Sequence, residues 1–196
     1  MPHAATSSVA STTKAGRDGI GGLRVSGRNL PPAPINGRDE PKRAMPAYLF
    51  AWNPKHWDWP ELGREIGRLK RRGHVDFQWA SGRTRAIEPG SRAFMVRLGV
   101  PPKGIIGSGV TLTVPKEGEH WIAAKAAAGI PGLYLRMRFE VLSKTPFVTF
   151  DDLAHPPFSR FRWGIRSSGT RLPSTLADAL ETLWEQRTLV KGRRAD

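Results

Sequence analysis

"LYLRMRFEVL", residues 133–142, decides how the chain is read. Leu135, Met137, Phe139 and Val141 alternate with Arg136, Arg138 and Glu140. Alternation with period two places the first set on a buried face and the second in water, which is a strand. Working upstream, "GIIGSGVTLTV" (104–114) and "RAFMVRLG" (92–99) are apolar runs joined by the turn "VPPKG", so they are predicted to pair as a hairpin. "YLFAW" (48–52) reads as a buried strand, and "RFRWGIR" (160–166) as a further strand or extended segment.

Two helices separate these runs. In "PELGREIGRLKRRG" (60–73), Pro60 and Glu61 suit a first turn, while Lys70, Arg71 and Arg72 suit the negative end of the dipole. Gly73 is a natural stop, and Leu62, Ile66 and Leu69 form one narrow stripe. The basic end is a candidate phosphate-facing surface or a solvated face. "STLADALETLWEQ" (174–186) is amphipathic, with Ser174 as N-cap and Leu176, Leu180, Leu183 and Trp184 as its buried stripe. Strands mixed with two main helices predict an α+β fold, a strongly bent sheet or small barrel with helices packed on it.

Residues 1–44 contain no aromatic residue and are rich in Ala, Ser, Thr, Gly, Arg and Pro. Such a segment buries too little apolar area to offset its ordering entropy, so a disordered basic tail is expected there, with Met45 an alternative start. A second basic tail is expected over 188–196, leaving a folded domain over 45–187. The chain carries a net charge of +14, of which residues 1–44 hold +4 and residues 187–196 hold +3, so the remainder is basic in its own right. That balance favours a polyanionic partner, nucleic acid first. No run approaches the ~20 apolar residues of a membrane span, and there is no apolar stretch of signal-peptide type near the start. Cysteine is absent, which excludes disulfides and thiolate zinc sites and fits a cytoplasmic location. The five histidines share no i,i+4 spacing, so neither a metal site nor any other cofactor is expected.

Catalytic signatures are missing. "GIIGSG" lacks the Gly-Lys-Ser/Thr ending of a phosphate loop and sits inside a strand pattern, where its glycines permit a bend or close backbone approach. There is no Gly-x-Ser-x-Gly elbow, and Asp151-Asp152 read as a solvated turn. The sequence looks like a binder and not an enzyme.

The remaining oddity is "FAWNPKHWDW" (50–59), which places Trp52, Trp57 and Trp59 among polar residues and a proline. Indoles in such surroundings either fill a core or wait for something flat. "WNPKHWDW" (52–59), "WASGRTRAIEPGSRAFMVRLGVPPKGIIGSG" (79–109), "HW" (120–121), "SSGTRLP" (167–173) and "LADALETLW" (176–184) occur in that order. Together they resemble the EVE domain, a member of the PUA-like superfamily related to YTH and ASCH domains. The resemblance spans roughly residues 46–186. It implies a small curved β-barrel with peripheral helices that reads a modified base, above all 5-substituted cytosine in DNA, in an aromatic cage. It also implies a separate nuclease or restriction component as a partner, since no nuclease or ATPase signature is attached.

Stacking physics supports such a reader. Flipping a base costs a few kcal/mol, aromatic faces return about 1–3 kcal/mol per base, and a buried methyl adds about 0.8 kcal/mol of discrimination. The pocket candidates are Trp52, Asn53, Trp57, Trp79, Ser81, Gly82, Arg83, His120, Trp121, Arg166, Ser167 and Ser168. Trp57 and Trp79 are expected at its rim; Trp59 and Trp163 fit core or pocket. Phosphate contacts are expected from Lys55, Lys70, Arg71, Arg72 and Arg85. The chain departs from the family where Gly90-Ser91-Arg92 replaces the usual Gly-Asp-Arg, and where Arg166 stands in place of a Gln before Ser167-Ser168-Gly169. Two other readings are an RNA-binding module, and a small nucleotide- or base-directed enzyme using His56 or Asp58 in the same pocket.

Overall fold

The computed structural model describes residues 45–192. The expected tail over 1–44 and residues 193–196 lie outside the described residues.

The strands are β1 (Ala47–Trp52), β2 (Val75–Ala80), β3 (Arg92–Arg97), β4 (Gly104–Thr111), β5 (Lys116–Gly118), β6 (Gly132–Leu142), β7 (Val148–Thr149) and β8 (Thr170–Arg171). The helices are α1 (Leu62–Arg72), α2 (Ala123–Ala127) and α3 (Ser174–Gly192). The fold is α+β. The main sheet runs β2-β6-β4-β3-β1-β8, with β5 added to β6 and β7 to β4. Its pairing path is open: among the described residues nothing joins β2 to β8 to close a barrel. The predicted hairpin is β3–β4, antiparallel, and β1 lies parallel to β3.

The central strands are buried on both sides, and their alternation sorts side chains into two cores. Tyr48, Phe50, Trp52 and Met95 face one; Leu49, Phe94 and Val96 face the other. α1 packs its Leu62, Ile66 and Leu69 stripe on the first and ends at Gly73, whose N–H bonds the Leu69 carbonyl and whose left-handed φ of 76° turns the chain out of the helix. α3 packs Leu176, Leu180 and Trp184 on the second.

Four expectations are corrected. The β6 alternation holds through Phe139, then a bulge opposite Ser108/Gly109 inserts Glu140. Val141 is thereby turned to the second core and Leu142 to the first. Gly109 is required there, because a Cβ would lie 1.7 Å from the Arg138 carbonyl oxygen. Residues 160–166, read as a strand or an extended segment, join no strand ladder: the Ile165 N–H turns back to the Trp163 carbonyl at 2.8 Å and the Trp163 indole N–H donates to the Phe158 carbonyl at 3.0 Å, while Trp163 and Ile165 are buried in the second core. Trp79, expected at the pocket rim, belongs to β2, whose pairing with β6 fixes it opposite Leu135. Finally, α3 continues through residues 188–192, which were expected to be tail. No proline or glycine interrupts the helix before Gly192, and the Thr188 hydroxyl bonds the Trp184 carbonyl at 2.9 Å.

Candidate nucleic-acid interface

The first core carries the unusual aromatics. As β1 ends, Trp52 is buried, and its indole N–H donates to the Trp57 carbonyl at 2.9 Å. That bond closes the turn 53–57, in which the Asn53 carbonyl also accepts from His56 and Trp57 N–H and its side-chain oxygen accepts from Lys55 N–H. Asn53 is therefore occupied in shaping the turn. Trp57 is held by its backbone while its ring is 44% exposed. The ring stacks on buried Trp59 at 5.8 Å and 20°, and leans on Trp79 at 5.6 Å and 60°. Trp59 in turn meets Trp52 and Phe77 edge-on and Trp79 at 4.8 Å. Trp79, expected at the rim, is 8% exposed and belongs to the core. Trp59 settles in the same core.

Two glycine turns meet beside this cluster. Gly82 has φ +63°, and a Cβ there would lie 2.0 Å from the Ser167 hydroxyl oxygen. Gly169 has φ +75°, and its Cβ would lie 2.6 Å from the Ser81 carbonyl oxygen. Only glycine at both positions lets the turns press together. The Thr84 hydroxyl bonds the Gly169 carbonyl at 3.0 Å, and the Ser168 hydroxyl accepts from Ala51 N–H at 3.0 Å. The predicted pieces around Trp52, Ser81-Gly82 and Ser167-Ser168 thus come together. Ser168 is committed to the backbone, whereas Ser167 is exposed.

Ser81 is the exception within this network. Its N–H continues the β2–β6 ladder to the Leu133 carbonyl at 2.9 Å, so its side chain falls on the same face as Trp79, two residues earlier. The residue is fully buried, and its hydroxyl has no hydrogen-bond partner among the described residues. An unpaired buried hydroxyl costs about 1–3 kcal/mol.

The other predicted residues spread out. Arg83 and Arg166 are exposed near the two turns. His120 and Trp121 form their own stacked pair at 6.0 Å, with Trp121 59% exposed. Tyr134 holds them from β6 by accepting from Trp121 N–H at 2.8 Å and donating to the Glu119 carbonyl at 2.7 Å. Their rings make no contact with the tryptophan cluster among the described residues. Lys55 is exposed on the Trp57 turn, Lys70, Arg71 and Arg72 are exposed at the end of α1, and Arg85 is bound to Glu117 at 2.7 Å. His56 and Asp58 are exposed. Sequence reasoning missed Arg97, whose guanidinium lies over Trp52 at 5.6 Å; the two are brought together by the parallel register of β1 on β3, which leaves no local signal in the sequence. No described helix is long and apolar enough to cross a membrane. Two shallow clefts, of about 290 and 220 Å³, lie away from the tryptophans.

No protein-family model and no curated protein matches the chain. Among solved structures it is similar to a hypothetical protein from Leishmania major, at 14% identity and a TM-score of 0.49, over 73% of this chain and 97% of that one. A Pseudomonas syringae protein matches at 18% and 0.47, over 70% and 99%. A Pseudomonas putida protein matches at 15% and 0.45, over the same shares.

Proposed function

We propose that residues 45–187 form an EVE-type, PUA-like module that binds nucleic acid and reads a modified base, 5-substituted cytosine in DNA first, without catalysing a reaction. The observation that carries this reading is the pairing of a half-exposed Trp57 stacked on Trp59 with the buried, unpartnered Ser81 hydroxyl on the face of Trp79. Trp57 and Trp59 stack on one another, so on this reading a base enters by parting them. Trp57 is tethered through its carbonyl, so its side chain can swing while its turn stays fixed. A flipped base entering beneath it exchanges one ring stack for two. The stack given up is worth about 0.5–1.5 kcal/mol, and a base on an aromatic face returns about 1–3 kcal/mol. The Ser81 hydroxyl, able to donate and accept, then finds a partner on the base edge. Cleavage belongs to a separate nuclease in this account.

The test is a binding array of DNA and RNA oligonucleotides, with and without 5-methylcytosine, 5-hydroxymethylcytosine or N6-methyladenine, run on the native chain and on Ser81→Ala. One modified DNA should bind more tightly than its unmodified twin, and Ser81→Ala should narrow the gap. Equal binding throughout contradicts the reading, and preference for a modified RNA moves it to the RNA branch.

A further inference from the structure

The outer face of β2 and β6 carries an unbalanced charge cluster away from the tryptophans. Cross-strand register sets Asp76 opposite Arg138 and Gln78 opposite Arg136. Arg138 binds Asp76 through two parallel bonds, at 2.9 and 3.1 Å, and Arg136 reaches the same carboxylate at 3.5 Å. One carboxylate cannot saturate two guanidiniums of five donors each. The remaining donors face solvent, for Arg136 is 62% exposed and Arg138 40%. The cluster continues past Asp76 into the cleft of about 220 Å³ lined by Arg68, Arg72 and His74. The nearby Glu65 is bound by Arg68, and Glu140 is engaged by Arg92. The strip is therefore net positive: Arg138 is fixed by its two bonds, and Arg136 turns most of its planar fork of donors, the geometry that suits phosphate oxygens, to solvent.

We propose that this strip, centred on Arg136 and Arg138, is a second contact surface that binds the phosphodiester backbone of duplex DNA without reading sequence. It rests on the nucleic-acid reading above, and not on the modified base. Asp76 tempers the charge of the two arginines.

The experiment is a salt titration of affinity for an unmodified DNA duplex, using the full chain, Arg136→Gln and Asp76→Asn, each checked by thermal melting. Each phosphate contact contributes about 0.9 to the slope of log affinity against log salt. Arg136→Gln should lower the slope by about that amount. Asp76→Asn should bind severalfold tighter at low salt, because a negative charge has been removed from the strip. Misfolding weakens binding in both variants, so the opposite signs separate the surface from a structural effect. An unchanged slope in Arg136→Gln, or binding no tighter in Asp76→Asn, overturns the proposal. Both variants should keep the native ratio of modified to unmodified affinity. A ratio of one in the native chain sinks the base reading and leaves this surface standing.

Discussion

Both faces of the central sheet are built around tryptophan, and they use it in opposite ways. In the second core Trp184 is 2% exposed and meets Phe94 and Phe147 edge-on, at 5.8 and 5.2 Å. Trp163 sits edge-on to Phe158 and Phe161, with its N–H satisfied. Edge-to-face contacts lock each ring from several sides. In the first core Trp59 is locked edge-on in the same way by Trp52 and Phe77, but its outer partner, Trp57, lies nearly parallel to it and is 44% exposed. A parallel stack is the arrangement a nucleobase can imitate. The second core also has no counterpart to the buried, unpaired Ser81 hydroxyl among the described residues. One face is closed for stability; the other has the features of a face that opens.

The largest expected effect belongs to the closed face. Trp184→Ala should cost about 3–5 kcal/mol in a denaturant melt, with any binding loss following from unfolding. Trp79→Ala should cost nearly as much, because Trp79 is buried against Trp59 and not on a rim. A mild loss at Trp79 would break the comparison by showing that the first core tolerates gaps. Trp57→Ala should cost only about 1 kcal/mol, since half of its ring is already in water. Ser81→Ala should be neutral or stabilising by up to about 1 kcal/mol, as it removes an unsatisfied buried hydroxyl. A clear loss of stability there would mean that the hydroxyl has a partner in the native protein.

The smallest effect is on acid stability. Asp76 is held below the ordinary carboxylate range by the hydrogen bonds from Arg138, against the opposing effect of burial. For Asp152 burial pushes upward, but hydrogen bonds from Thr149 and the charge and bond of Arg187 on α3 win and lower it. Folding favours the charged form at both sites. Their stabilisation is therefore complete above the unfolded carboxylate range, near pH 4, and drains away as pH falls through the lowered values. Melting temperatures followed from neutral to about pH 3 should decline less steeply in Asp76→Asn and Asp152→Asn than in the native chain.

Much of this was legible. The period-two pattern of residues 133–139 and the hairpin from Arg92 to Thr111 follow from local alternation, and α1 runs from a clear start to Gly73. β2 was legible too, since Val75, Phe77 and Trp79 alternate with polar residues, but its tryptophan drew attention to the loop after it. The switch from Val141 to Leu142 was not readable, because a bulge depends on the partner strand. Nor was the unpaired path of residues 160–166, where the alternation is kept but the Ile165 N–H bonds the Trp163 carbonyl instead of a neighbouring strand. At the site, the glycine turns at Gly82 and Gly169 were visible as loop elements, yet their mutual contact is a long-range fact. The separation of His120 and Trp121 from the other rings was equally hidden, since it depends on Tyr134 across the sheet.

The most direct test is a pair of affinities measured for the native chain and Trp57→Ala on two DNA duplexes that differ by one modified cytosine. The account predicts that the native chain prefers the modified duplex, and that Trp57→Ala binds both alike while melting within about 1 kcal/mol of the native chain. A Trp57→Ala protein that melts normally and still prefers the modified duplex would contradict it, and would place the reading surface away from the tryptophan cluster.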